Sequence, residues 1–160
     1  MDQTKIKAAA TKEFNDGDAN TKKALIKIFG EGYFTSIFDY DSWEKIAALK
    51  NIDPVKDLPY PKPINNLQIR LNGAFQLEHI YDVFRGGEDP DYTNSKQEKW
   101  WAVFNNYTSG SGFRFVHSSY GWASTYAFGG ARFVVFDKKT SDFLGTTFLD
   151  IWNKFLNPIK

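Results

Sequence analysis

The sequence predicts an α+β fold, in which N-terminal helices precede an antiparallel β-meander of three or four strands and a C-terminal helix closes the domain. Helical periodicity dominates the residues before 85 and after 137. Residues 100–136 contain no Asp, Glu or Lys, which is typical of a sheet with one buried face and one weakly polar face. Residues 1–98 contain 12 aromatic side chains and residues 99–160 contain 16, so the C-terminal part is expected to supply most of the core.

Length and composition restrict the possible classes of function. A chain of 160 residues fits one domain, residues 1–160. Lys and Arg total 20 against 19 for Asp and Glu, so charge provides no general attraction to nucleic acid or membranes but allows a local basic patch. The lack of cysteine excludes disulfides, thiol catalysis and Cys-ligated metals. No signal peptide or membrane-spanning run is recognised, which predicts a soluble, intracellular protein.

The first 30 residues are predicted to contain one clear helix. Residues 1–18 are expected to be loosely ordered or weakly helical. A helix follows over residues 19–29, capped by Asp16, Asp18 or Asn20 and ended by a glycine.

A second helix and a proline-rich connector come next. Asp41 is predicted to cap a helix that ends near residue 50, with Glu44 completing a capping box. Residues 51–63 contain four prolines, which exclude a helix or a central strand. We interpret them as an extended strap across a single domain.

A third helix is predicted from Asn65 or Asn66 to residue 84, where Gly86 and Gly87 end it. Residues 86–99 then form a polar loop.

The predicted sheet has strands over residues 100–108, 113–119, 121–128 and 131–136, with a hairpin turn at 109–112. Strict alternation would place Phe113, Phe115 and His117 on one face of the second strand, and Arg114, Val116 and Ser118 on the other. The final helix is predicted to begin after a cap at Thr140 or Ser141 and to end near residue 156, with Gly145 as a point where it can break.

No catalytic site, metal site or cofactor is predicted. Ser118 and Ser119 adjoin His117, but neighbouring strand residues point to opposite faces and no nucleophile-elbow motif is present. The only other histidine, His79, lies in a different element, and the acidic residues at 88–91 belong to a loop. No carboxylate pair has a catalytic spacing, and the glycines at 109–112 lack a phosphate-loop lysine.

The outer sheet face is the remaining candidate, because aromatic side chains on both faces exceed what one core needs. An exposed ring beside an arginine can stack on a base or sugar, or contact a protein partner. The alternative is that helices or the proline strap cover both faces. The candidate binding residues are Trp100, Trp101, Arg114, His117, Tyr120, Trp122 and Arg132.

Three stretches, residues 22–34, 76–115 and 129–156, together resemble small proteins encoded by phages and prophages of Bacteroidota. That family has a loop followed by paired aromatics, an aromatic hairpin, an Arg-containing strand and a closing helix. Glu88 and Ala131 depart from its usual Trp and Ser. The resemblance implies a phage-related protein in the bacterial host cytoplasm or in the virion, and it implies no activity.

The expected function is therefore non-enzymatic. The first hypothesis is an accessory protein that binds nucleic acid, a nucleotide or a host protein through the aromatic and arginine-bearing face. The alternatives are a virion or assembly component, whose aromatic surface would be buried between subunits, and an enzyme of unknown type. No membrane partner is expected, and oligomerisation is compatible with either binding role.

Overall fold

The computed structural model describes residues 3–105, 112–121 and 132–156. The chain divides into two compact units, Met1–Asp39 and Tyr40–Lys160. No helix among the described residues is long and apolar enough to cross a membrane.

The first unit is a pair of helices followed by short 3₁₀ turns. Helix α1 spans Gln3–Asp16, where loosely ordered or weakly helical chain was expected, and α2 spans Ala19–Phe29. The Asp18 carboxylate caps α2 by accepting from the Thr21 amide at 2.8 Å. Rings rather than a deep core hold this unit, with Phe14 stacked on Phe34 at a centroid distance of 4.3 Å.

The second unit begins with α3, Trp43–Leu49, and α4, Asn66–Phe84. Asn65 caps α4 as predicted, but the cap of α3 was predicted one residue too early. Ser42, not Asp41, accepts from the Lys45 amide, while Asp41 pairs instead with the Lys45 ammonium. Serine and aspartate are both good caps, so composition alone does not separate two adjacent candidates.

The proline-rich strap is fixed to both helices. The Trp43 indole donates to the Pro54 carbonyl at 2.8 Å. Asn72 of α4 is buried, and its amide both accepts from the Tyr60 amide at 2.9 Å and donates to the Tyr60 carbonyl at 2.7 Å. A segment without regular structure therefore satisfies part of its backbone through side chains of the helices that it crosses.

The sheet described here has two antiparallel strands, β1 (Lys99–Asn105) and β2 (Arg114–Gly121). Val135 adds an isolated antiparallel bridge to Trp100, with hydrogen bonds of 2.8 and 3.0 Å. The segment predicted as the last strand of the meander thus lies beside β1. Most of the predicted third strand, 121–128, and most of the 109–112 turn lie outside the described residues, so the three- or four-stranded meander stays a prediction.

Two helices, not one, follow the sheet: α5 (Lys138–Thr147) and α6 (Leu149–Leu156). Asp137 caps α5, accepting from the Thr140 amide at 2.8 Å, so Thr140 and Ser141 belong inside the helix rather than before it. The break falls at Phe148 and not at Gly145. Gly145 lies inside α5, at the point where Phe115 of β2 approaches the helix closely.

The core of this unit lies between α4, α5, α6 and the inner face of the sheet. Its fully buried members come from these three helices, from α3 and from the Val135 segment, and the largest are Tyr81, Phe148, Ile46, Leu77, Ile80, Leu144, Ile151 and Val135. Trp152 of α6 connects these layers, with its ring 4.7 Å from that of Phe104 and 5.5 Å from that of Phe133. One sheet face is therefore committed to the core.

Candidate functional site

The pairing of β1 with β2 contains a β-bulge. Val103 pairs with His117, whereas the next residue of β1, Phe104, pairs with Phe115. Val116 is therefore the extra residue on β2. An extra residue of this kind bends the strand and interrupts the alternation of its side chains.

Because of the bulge, side chains in the first half of β2 lie on the opposite sheet face from the one predicted. Ser118 faces α5, where its hydroxyl donates to that of Ser141 at 2.8 Å. Phe115 also faces α5, because a Cβ built on Gly145 would lie 2.3 Å from its ring. The prediction that Phe115 shares a face with His117, and Arg114 with Ser118, is wrong because it assumed unbroken alternation.

Arg114, Val116 and His117 consequently lie together on the other face, and all three are exposed. The preceding residue is anchored, since Asn153 of α6 accepts from the Phe113 amide at 2.6 Å and donates to the Phe113 carbonyl at 3.0 Å. Arg114 thus extends from a backbone that is held in place on its buried side.

We call this surface the open sheet face, and it consists of Trp101 and Val103 of β1 with Arg114, Val116, His117 and Ser119 of β2. Trp101 is half-buried, and its ring lies over the strand end, where a Cβ on Gly121 would be 3.4 Å from Cη2. Val116 is 47% exposed. No residue of this set carries a negative charge, so its only formal charge is the Arg114 guanidinium.

Trp100 and Tyr120 lie on the opposite face, toward the core. Their rings stack at a centroid distance of 4.7 Å, and the Trp100 indole donates to Glu98 at 2.9 Å. Both backbone polar groups of Trp100 bond to Val135, so Trp100 and Tyr120 form a non-hydrogen-bonded pair, the kind whose side chains come closest. These two predicted site residues form a structural pair, with Tyr120 still 46% exposed at the edge.

Arg132 does not join Arg114. Its guanidinium donates to Glu78 of α4 at 2.9 Å, and its carbonyl accepts from Arg85 at 2.8 Å. Because the Val135 bridge is on the side of β1 away from β2, the two arginines belong to segments on opposite sides of that strand. Trp122, the remaining predicted site residue, lies outside the described residues.

The histidines have separate environments. His79 of α4 lies beside the rings of Phe75 and Trp43, at 4.5 and 6.3 Å. Burial lowers the pKa of His79, and the charge of Lys50 lowers it further. His117 and Ser118 point to opposite faces of β2, so they cannot act as a base and nucleophile pair. Nowhere in the described ranges do three or more potential metal ligands form a group.

Three residues of the open sheet face, Val103, Val116 and Ser119, were not predicted as site residues. The local signal is the segment 114–118, which reads RFVHS, because its polar and apolar residues do not alternate strictly. Such a run fits a bulge as well as an alternating strand, and the sequence offers nothing that distinguishes the two.

Comparison of the chain with protein-family models, with curated proteins and with solved structures gives no match.

Proposed function

We propose that this protein is a non-catalytic binding module whose open sheet face takes single-stranded nucleic acid. The observation that supports it is the bulge at Val116, which puts Arg114 and His117 on the same side of the sheet as Trp101. The Trp101 ring, the Arg114 guanidinium and the His117 imidazole then lie on the open sheet face, whose residues include no carboxylate.

Each member has a physical role in this proposal. Trp101 offers a ring on which a base can stack, a contact worth about 1–3 kcal/mol per base. Arg114 meets a phosphate, with which a guanidinium forms charge-assisted hydrogen bonds. The imidazole of His117 adds a second hydrogen-bond donor. Val103 and Val116 provide apolar surface between them.

The proposed setting is that of a phage-related accessory protein in the bacterial host cytoplasm, which rests on the resemblance stated above. The net charge of +1 makes strong non-specific binding to duplex DNA unfavourable, since that binding depends on several phosphate contacts. A single-stranded nucleic acid, whose bases are exposed, fits a surface with one aromatic ring, Trp101, and one arginine, Arg114, better than duplex DNA does.

Fluorescence anisotropy with a labelled dT12 oligonucleotide at low salt tests the proposal. Arg114→Ala and Trp101→Leu should each weaken binding about fivefold or more, and the affinity should fall as salt rises. Arg70→Ala is the matched control, because Arg70 is an exposed arginine on α4 that lies outside the open sheet face. Its loss should change the affinity only slightly.

Equal losses in Arg114→Ala and Arg70→Ala would mean a diffuse electrostatic interaction, and the proposed site would be wrong. Absence of oligonucleotide binding, together with a stable oligomer in gel filtration or presence in purified particles, would favour the virion or assembly role instead.

A further inference from the structure

A cleft of about 330 Å³ opens within the unit Tyr40–Lys160, where the start of α3, the proline strap, α4 and α6 meet. It shares no residue with the open sheet face. Its apolar lining includes the buried side chains of Trp43, Phe148 and Ile151, with Val55 of the strap exposed at its mouth. The cleft therefore combines a rigid helical floor with a wall that the Trp43–Pro54 hydrogen bond fixes.

The lining also contains a polar side chain that bonds to none of the described residues. Gln76 of α4 is only 4% exposed and borders the cleft. Its amide is not fully enclosed, so it opens onto the cleft. Asn72, one turn earlier on the same helix, instead bonds to Tyr60 through both the oxygen and the nitrogen of its amide. An amide that opens onto a cavity in this way can bond to a polar group that enters the cavity.

The charged lining is predominantly acidic. It includes the carboxylates of Asp41, Glu44 and Asp150, against one cation, Lys154. Asp41 is paired with Lys45 at 2.7 Å and Asp150 with Lys154 at 3.7 Å, while Glu44 makes no ion pair with another described residue. The excess of negative charge favours a positively charged occupant.

We propose that this cleft binds an alkyl cation, an ammonium or guanidinium group on an apolar stem. The stem lies along the apolar wall, the amide oxygen of Gln76 accepts from the cation or from a neighbouring polar group, and Glu44 and Asp150 supply the charge. A free amine and a Lys or Arg side chain of a partner protein present the same chemistry, and the experiment separates them.

The test is a titration of the full ¹⁵N-labelled chain, followed by amide chemical shifts, with n-pentylammonium and with N-acetyl-lysine methylamide. At least one should saturate, with shifts centred on residues 44, 76 and 150. The uncharged N-acetyl-norleucine methylamide, which keeps the stem, should bind at least about tenfold more weakly. Saturation by the lysine derivative alone identifies a protein side chain as the source, whereas equal or tighter binding of pentylammonium identifies a free amine.

Three variants and one control separate binding from folding. Glu44→Gln and Asp150→Asn should each weaken binding of the cation about two- to fivefold. Asp89→Asn is the matched control, because it removes one carboxylate that is 95% exposed and lies outside the cleft. Gln76→Leu should reduce cation binding while leaving the melting temperature unchanged or higher, since the amide that it removes bonds to none of the described residues.

The proposal is overturned if neither cation saturates at millimolar concentration, or if the norleucine derivative binds as well as the lysine derivative. It is equally overturned if Asp150→Asn and Asp89→Asn weaken binding alike, or if Gln76→Leu binds as tightly as the unmodified chain.

Discussion

Gly145 of α5 lies directly against the ring of Phe115 on β2: a Cβ atom on Gly145 would be 2.3 Å from Cδ2 and 2.5 Å from Cε2 of that ring. The same Cβ would also lie 3.0 Å from the Cβ of Ala102 on β1. The helix can approach the sheet this closely only because residue 145 has no side chain. This contact holds Phe115 on the core side of the bulge, and so holds Arg114 on the opposite side.

Gly145→Ala should therefore lower the free energy of unfolding by about 1–2 kcal/mol. Because the added Cβ would lie only 2.3 Å from the ring, we take the upper part of the range for overpacking, about 2–3 kcal/mol, and the better helix propensity of alanine, worth about 1 kcal/mol, offsets part of it. Urea denaturation followed by circular dichroism measures the change. Gly32→Ala is the control, since no atom lies within 4 Å of its Cβ position and its backbone is not left-handed. A Gly145→Ala chain as stable as the unmodified one would mean that Phe115 is not held as described.

Asn72→Ala should lower the free energy of unfolding by about 2 kcal/mol, because it removes two hydrogen bonds and leaves the Tyr60 amide and carbonyl without partners. Thermal melting, or the midpoint of a urea transition, reports the loss. Gln68→Ala provides the comparison: its side chain accepts one exposed hydrogen bond, from the Ile64 amide at 2.8 Å, so its loss should cost less than about 1 kcal/mol. Equal effects of the two substitutions would contradict the role of Asn72 as the anchor of the strap.

Stability should fall as the pH is lowered below about 6.5 because of His79. Burial, helped by the charge of Lys50, lowers the folded-state pKa of His79 below its ordinary value of 6.5, while Asp82 and Glu78 oppose the shift. The unfolded chain therefore binds the proton first, and stability is lost from pH 6.5 downward until the folded-state pKa is passed. The pKa of Asp82 is lowered by its hydrogen bond from Lys50, so its contribution is lost only below 3.8.

Replacing His79 with Gln should flatten the dependence of unfolding free energy on pH in the range just below 6.5, the ordinary pKa of histidine. Denaturation curves at half-unit pH intervals measure this. His117→Gln is a suitable control, because that imidazole is exposed on β2. If His117→Gln flattens the curve and His79→Gln does not, the pH dependence has been assigned to the wrong histidine.

The helices were the most predictable part of this fold. The first and third predicted helices have strong caps and apolar stripes, and the corresponding α2 and α4 follow the predicted limits closely, because these signals are local in sequence. The caps of α3 and α5 were predicted at the wrong residues. Asp41 and Ser42 are both suitable caps for α3, as are Asp137 and Thr140 for α5, and only the backbone path decides which residue of each pair caps the helix.

The sheet was less predictable because its pairing depends on contacts distant in sequence. Nothing local to Val135 indicates that it pairs with Trp100. The face of the sheet on which Arg114 lies could not be predicted without knowledge of the bulge. The cleft around Gln76 could not be predicted without knowledge of the path of the strap past α4. Of the seven predicted binding residues, the structure gathers Trp101, Arg114 and His117 on one face. It directs Trp100 and Tyr120 to the other face and pairs Arg132 with Glu78.

The bulge also determines which changes of length this strand tolerates during evolution. Deleting Val116 would leave a regularly alternating strand in which Phe115 still faces Gly145 and Arg114 still lies on the opposite face. Inserting one residue between Arg114 and Ser118 while the bulge is kept would instead carry the guanidinium toward the Gly145 contact and expose the Phe115 ring to water. Homologous chains should therefore keep this spacing or shorten it by one residue, even where the side chains of the open sheet face vary. The spacing is a more reliable marker of this strand than the identity of any residue that it presents to solvent.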